Sequence, residues 1–458
     1  MKIMGRPLKT FLFLCFVLHN SFGFSQKSWT LDECIAYALE HNLGQQNQTY
    51  NEAIGKENWR QSKRDLIPQI GVGSPSYAVN YGRTIDPITN TIVDTKYGSG
   101  NGSLSSSIVL FETFKKWNTL AFQKIQFETS KQATEQYKYD LAFKIMNLFN
   151  DVLFNEGALS IVTEQQAINL LYLKLIDSQV KLGMKAKADL YDIEATVSTD
   201  ELNVLQANNR LKESKLALTQ EMNLPQNDIE LLAPLENQSI NESLLGTNAE
   251  SLFNNAQKFL PALQIGALDL MAAKKNLAIT RSSFFPKLTF NTGINTGYSP
   301  NRLDASGNEM EFWEQIKTNT NKYIVLSLYI PIFGNGRNWS NTKIAKINIQ
   351  KADVDLKQKE QLVYKEIQKL IQKNEALFAE EKLNSKKVEL KELALTIAQK
   401  KFKNGLISIY DLQVANNEFI GAKIDQLQMR IQFNIQKKTL DFYNGDFILP
   451  STIQITNN

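Results

Sequence analysis

The chain is nearly without cysteine and histidine: its 458 residues hold two of each, and Cys15 and His19 fall within the first 26. Cys34 and His41 are all that follow. One thiol excludes a disulfide within a single chain, and one thiol with one imidazole cannot supply a zinc or multi-histidine centre. Cys34 therefore reads as a packed thiol and His41 as an imidazole on a helix surface. Acids are not clustered at catalytic spacing, so the chain does not read as an enzyme and calls for no cofactor. The phosphate-cradling pattern G-x-x-x-x-G-K-[ST] does not occur.

Excess charge is also scarce. The formal net charge is +4, and Lys2, Arg6 and Lys9 account for three of those charges with no acid among the first 26 residues. A nearly neutral remainder gives no electrostatic ground for binding nucleic acid. Residues 1–26 read as a signal peptide: the three cations, an apolar run from Phe11 to Leu18, then Ser21, Gly23 and Ser25 before cleavage. Leu14 precedes Cys15 where a lipidated cysteine expects a small residue, and Cys15 lies inside the apolar run. No later segment has the roughly 18 consecutive apolar residues of a membrane helix, so any passage through a bilayer must be made by strands.

What is present is a duplication. Phe111-Glu112-Thr113-Phe114-Lys115-Lys116-Trp117 is answered by Phe333-Gly334-Asn335-Gly336-Arg337-Asn338-Trp339, and Gly183 with Asp189-Leu190 by Gly405 with Asp411-Leu412. These pairs share one offset of about 222 residues. Leu66-Ile67-Pro68-Gln69-Ile70 is matched more loosely by Phe284-Phe285-Pro286-Lys287-Leu288. Each half then has the order helix, proline, strand, loop, strand, long helix, glycine turn, helix.

From Lys115 to Leu182 there is no proline and one glycine, Gly157; from Asn338 to Asn404 there is neither. Apolar residues recur at steps of three and four, as in Leu141, Ile145, Leu148 and Val152, or Val363, Ile367 and Leu370. At 1.5 Å per residue each run predicts a helix of about 100 Å, a coiled coil or part of a helical tube. Ala188–Met222 and Glu250–Ser283 predict helices of about half that length. On periodicity alone, antiparallel helical hairpins with no lumen stay open as the alternative.

Between the prolines and the long helices the period changes to two. Leu288, Phe290, Thr292, Ile294, Thr296 and Tyr298 alternate with Lys287, Thr289, Asn291, Gly293, Asn295 and Gly297, and Ile324, Leu326, Leu328 and Ile330 with Tyr323, Val325, Ser327 and Tyr329. In the first half Val72 opens one segment that Tyr77, Val79 and Tyr81 close. Leu104, Ile108 and Leu110 are interleaved with Ser103, Ser105, Ser107 and Val109. These are strands of about 9–12 residues, enough to cross a bilayer on a tilt, with one apolar and one polar face; a pair of ordinary β-hairpins capping a helical domain is the alternative, and the export signal favours the membrane. The intervening tips, Arg83–Ser99 and Pro300–Asn321, are polar. Four strands cannot close a membrane barrel, and open edges in lipid leave backbone groups unsatisfied, so the strands must be pooled with copies of the same chain. The architecture expected is mostly α with a small β part, four strands per subunit and an internal two-fold repeat.

Several motifs together resemble the TolC family of outer-membrane efflux proteins over essentially the whole mature chain. They are Leu31-Asp32-Glu33-Cys34 with Ala38-Leu39-Glu40-His41-Asn42, the Leu66-Ile67-Pro68 strand opening, the two-fold repeat, and a glycine followed six residues later by Asp-Leu in both halves. Asn80-Tyr81-Gly82-Arg83-Thr84-Ile85-Asp86-Pro87 resembles the Bacteroidetes branch. The resemblance implies an elongated α-helical barrel beneath a membrane β-barrel, formed by a homotrimer in outer-membrane lipid with its tunnel in the periplasm. It implies a passive exit duct for efflux or type I secretion, docking to a periplasmic adaptor (membrane fusion) protein and an inner-membrane pump of RND, ABC or MFS type.

The segments implied are a signal peptide (1–26), a first short helix (27–66), barrel hairpin 1 (67–112, outer loop 83–99) and helical hairpin 1 (113–224, tip 183–189). An equatorial linker (225–248) leads to a second short helix (249–285), barrel hairpin 2 (286–333, outer loop 300–321), helical hairpin 2 (334–445, tip 405–411) and a tail (446–458). Leu182, Gly183, Met184, Asn404, Gly405 and Leu406 would face the adaptor, and Asp411 with Val414 would line the tunnel constriction. The residues have a simpler reading as well: Gly183 and Gly405 as left-handed helix ends, Asp189 and Asp411 as caps favoured by the following helix's dipole. Two departures bear on closure. Val414 stands where a second carboxylate ring can occur, and Ile407 where a basic residue can tie the tip shut. The competing class is a non-channel periplasmic coiled-coil adaptor or stalk, which needs the helices but not the strands.

Overall fold

The computed structural model describes residues 28–85, 89–94, 96–225, 229–232, 248–300, 302–447 and 449–450. The expected signal peptide, and most of 225–248 and 446–458, lie outside them. Strand β1 (Ser28–Trp29) leads to α1 (Leu31–His41) and α2 (Leu43–Arg64), followed by β2 (Gln69–Asn80), β3 (Arg83–Ile85), β4 (Ile92–Asp94) and β5 (Tyr97–Phe111). Helices α3 (Lys115–Lys181) and α4 (Lys187–Met222) complete the first half. After β6 (Glu230–Leu231) come α5 (Ala249–Phe259), α6 (Pro261–Arg281), β7 (Lys287–Tyr298), α7 (Phe312–Thr318), β8 (Asn321–Tyr329), α8 (Arg337–Lys403) and α9 (Ile409–Asn444).

The duplication is carried through to the residue. Both long helices have 67 residues and both partners 36, and each of their boundaries in the second copy lies 222 positions after its counterpart. Two expected helices are each broken in two. Pro261 lacks the N–H needed to continue α5 and instead occupies the first turn of α6, where that N–H has no helical partner anyway. Asn42 adopts an extended backbone between α1 and α2. Its side-chain oxygen accepts from the Gln45 N–H at 3.0 Å, and its amide donates to the Glu221 carbonyl at 2.9 Å.

The chain forms two compact units: the described residues within Met1–Asn47, Tyr137–Phe259 and Val363–Asn458, and those within Gln48–Gln136 and Leu260–Leu362. The first is helical. Cys34, Ile35 and Ala38 of α1 pack on Leu141, Ile145, Phe149 and Val152 of α3 and on Leu218 and Met222 of α4, all buried. This is the three-and-four spacing of one helix face turned inward. Cys34 is buried and forms no disulfide among the described residues, and the His41 ring stacks on Tyr37 with centroids 4.0 Å apart. At Gly157 of α3 an added Cβ would come within 2.6 Å of a Leu427 methyl of α9, so a side chain there would have to displace the Leu427 side chain.

The second unit contains a four-stranded antiparallel sheet in the order β2-β5-β7-β8. The register sorts its side chains into two faces. Ile70, Val72, Leu104, Ile108, Phe290, Ile294, Ile324 and Leu326 share one; Ser103, Ser105, Ser107, Thr289, Asn291, Asn295 and Ser327 share the other. Along β2 the apolar positions change from even (Val72) to odd (Tyr77, Val79). A register shift between Gly73 and Ser76 absorbs the change, so all three stay on the apolar face. Among the described residues β2 pairs only with β5 and β8 only with β7, leaving both outer edges open. Among them, too, no helix is long and apolar enough to cross a membrane.

Replacing Phe149 by Ala should empty the centre of the α1–α3–α4 core and cost about 3–5 kcal/mol, read as a lower denaturant midpoint of the purified protein.

Candidate functional site

The residues singled out in the sequence gather at two helix turns. At the end of α3, Gly183 has φ +74°, and at the end of α8 Gly405 has φ +70°, a conformation without penalty only for glycine. The Gly183 N–H donates to the Val180 carbonyl at 3.0 Å and that of Met184 to Gln179 at 2.8 Å; Gly405 donates to Phe402 at 3.0 Å and Leu406 to Lys401 at 2.9 Å. Both are Schellman ends, which satisfy the last carbonyls of a helix and reverse the chain. Nothing lies within 4 Å of a Cβ built on either glycine. Leu182, Met184 and Leu406 are at least 70% exposed, and Asn404 is exposed beside them.

One apolar cluster joins the two turns. Ile176 and Ile193 of the first copy and Leu395, Ala398, Phe402, Ile409 and Leu412 of the second are buried together, with Val180, Leu190 and Ile407 against them. The turns are thereby fixed relative to each other, a precondition for presenting a shared surface.

The acids at the two turns differ. Ser408 is the N-cap of α9: its hydroxyl accepts from the Asp411 N–H at 3.1 Å and donates to the Asp411 carboxylate at 2.7 Å, which also accepts the Ser408 N–H at 3.1 Å. These bonds hold the Asp411 carboxyl below the ordinary aspartate range, with the Ser408 hydroxyl the largest cause. The lowered value means the cap's contribution is present above the ordinary carboxyl pKa and lost as pH falls through the lowered one. Asp189 holds the equivalent position in the first turn of α4, as the dipole favours, but Ala186 at the N-cap has no side-chain oxygen and forms no capping bond. The expected cap at Asp189 is thus corrected to a charge in the first turn, its carboxylate 3.9 Å from the Lys185 ammonium. Asp411, Val414 and Glu418 follow one another along an exposed line of α9.

Lys185 is a residue the sequence reading passed over. It stands 222 positions before Ile407, so the basic residue missing from the second copy is present in the first. Its ammonium lies 5.3 Å from the centre of the Phe402 ring, a cation–π contact from one copy to the other. The repeat offset was the signal that could have revealed it. Deeper between α3 and α4, Asn169 donates to Asp200 at 2.6 Å; burial pushes the Asp200 carboxyl up, against the effect of that bond. Among the described residues no group of three or more His, Cys, Asp or Glu could hold a metal ion.

The family model described as outer membrane efflux protein matches residues 252–446, the second copy of the repeat. Over 424 residues, 89% of this chain and 84% of the relative, the chain is 23% identical to the cation efflux system protein CusC of Escherichia coli. The family model over the second copy and this relative together support the outer membrane efflux protein family, TolC-like, for this chain. Outer membrane protein TolC of Vibrio cholerae is 24% identical over 52% of this chain and 53% of its own length. The CmeC outer membrane channel of Campylobacter jejuni superposes with a TM-score of 0.78 at 14% identity, covering 92% of this chain and 87% of that one. The fold is accordingly TolC-like. The family is one of outer-membrane channels rather than of enzymes.

Because Asp189 already occupies the third position of α4, Ala186→Ser would complete a second capping box. It should stabilise the first turn by ~1 kcal/mol and slow hydrogen exchange at the Asp189 amide by roughly fivefold.

Proposed function

We propose that this efflux-family chain builds a passive outer-membrane exit duct as a homotrimer. Twelve strands, four from each copy, would close the barrel, and the α3–α4 and α8–α9 pairs of three copies would line the periplasmic tunnel. The observation that carries this reading is the four-stranded sheet, with one largely apolar face, one face rich in Ser, Thr, Asn and Gly, and two edges that are open among the described residues. In lipid an open edge costs several kcal/mol per unsatisfied group, and edge pairing between copies removes that cost. The polar face would then be a wet lumen, with Lys287 as its charged position at the strand end nearest the helices. A stalk or adaptor protein would have no use for such a sheet. The domain reading follows: 67–112 and 286–333 as barrel hairpins, 113–224 and 334–445 as periplasmic hairpins.

The tips are the docking surface for a periplasmic adaptor fed by an inner-membrane pump of RND, ABC or MFS type. Support comes from three large exposed apolar side chains, Leu182, Met184 and Leu406, on rigid glycine turns, since exposed apolar groups on a fixed frame mark interaction sites. Asp411 and Val414 line the constriction. Three copies of Asp411 around the axis would form a ring that attracts cations and repels anions, while Val414 adds an apolar collar instead of a second ring.

Removing the Asp411 ring with Asp411→Asn should raise the concentration of multivalent cation needed to block current in planar bilayers by roughly tenfold. Unchanged block would take Asp411 out of the lumen. Gly405→Trp should abolish export in cells while the trimer still assembles in the outer membrane: the left-handed backbone costs roughly 1–2 kcal/mol, too little to unfold the chain, and a Cβ there meets no neighbour; wild-type export by that variant would refute tip docking.

A further inference from the structure

The connection between β7 and β8 is not the plain polar loop its composition suggests. It carries α7, seven residues long, fastened to the apolar face of the sheet. Gln315 is fully buried: its side-chain oxygen accepts from the Ser299 N–H at 2.9 Å, and its amide donates to the Met310 carbonyl at 2.7 Å. The Asn319 amide donates to the Gly297 carbonyl at 2.6 Å, and the Thr296 hydroxyl to the Ile316 carbonyl at 3.0 Å. Phe312 packs edge-on against Tyr298, with centroids 5.0 Å apart. Trp313 points away and is 75% exposed.

Beneath α7 a cavity of about 300 Å³ opens on the same face, lined by Tyr77, Gly100, Gly102, Tyr298, Phe312 and Ile316. Its floor is flat because glycines face Tyr77, Tyr298 and Thr296 across the strands. A Cβ at Gly102 would meet only the Thr296 methyl, at 4.0 Å. The apolar wall continues from the cavity down the sheet through Leu104, Ile294 and Ile324.

We propose that this groove is a lipid site: an acyl chain of the outer leaflet lies under α7, and Trp313 sits at headgroup level as an anchor. This rests on the membrane reading of the sheet given above. That reading puts the β7–β8 connection, at the strand end remote from α6 and α8, on the outer side. Three features favour lipid. The groove is continuous with the face turned to the bilayer. Four backbone groups beside it, the Ser299 N–H and the Met310, Gly297 and Ile316 carbonyls, are satisfied by Gln315, Asn319 and Thr296, which lowers the cost of a hydrocarbon setting. The exposed side chain is tryptophan, which favours the bilayer–water boundary.

The test uses the full-length protein in bilayers of phosphatidylcholine brominated either near the headgroup or deep in the chain, comparing its fluorescence with that of Trp313→Phe. The fluorescence assigned to Trp313 should be quenched roughly twofold more by shallow bromines than by deep ones. The indole added by Leu326→Trp, on the same face nearer the middle of β8, should be quenched best by deep bromines. Quenching of that added indole but not of Trp313 overturns the lipid site alone, as it would put Trp313 in water or against a neighbouring copy. If neither is quenched, the membrane reading fails with it. In native mass spectra after detergent exchange, Gly102→Leu and Gly102→Phe should both lose phospholipid that the wild type retains; equal retention in both refutes the groove as its seat.

Discussion

Unpaired backbone along β2 and β8 is the constraint on which the rest depends. A sheet with one oily and one wet face has no stable position as a single chain, since its edges offer hydrogen-bonding groups that hydrocarbon cannot answer. In the duct proposed above, pairing between copies would remove the defect and create the pore, making assembly and channel formation one event. In the chain β5 runs directly into α3 and β8 into α8. Each strand pair thus delivers one long helix.

At the helix turns the two copies share a backbone and differ in chemistry. Both end in the same left-handed glycine with the same pair of hydrogen bonds. One copy has Lys185 and Ala186 where the other has Ile407 and Ser408. The second copy therefore has a fully capped helix start and an apolar plug in the shared cluster, whereas the first has a looser start and a cation lying over Phe402. Duplication supplied the scaffold, and a few side chains divided its labour. The inter-copy cluster around Ile176, Phe402 and Ile409 keeps these differing ends aligned.

Much of this was legible in the sequence because it rests on local periodicity. The long helices follow from uninterrupted three-and-four spacing, the faces of β7 and β8 from strict alternation, and the glycine turns from their repeated distance to Asp-Leu. What escaped depends on contacts between distant residues. The parity change along β2 hides a bulge that only its partner strand reveals. The break at Asn42 carries no proline; it is held by Tyr137, whose hydroxyl donates to Asn42 at 3.2 Å, and by the Glu221 carbonyl. Helix α7 is too short to display a period and exists through side-chain bonds to β7. Lys185 acquires a role only when the copies are set side by side and Phe402 is found beneath it.

The equal lengths of the two copies restrict how such a protein can change over evolutionary time. Inserting a single residue into α3 would turn everything beyond it by about 100° and advance it by about 1.5 Å. Ile176 and Val180 would then swing out of the cluster they share with Phe402. A lone insertion is thus a rotation as well as an extension, and it damages both turns at once. Ducts of this type can be lengthened or shortened only by matched edits in both halves, in steps close to whole helical turns.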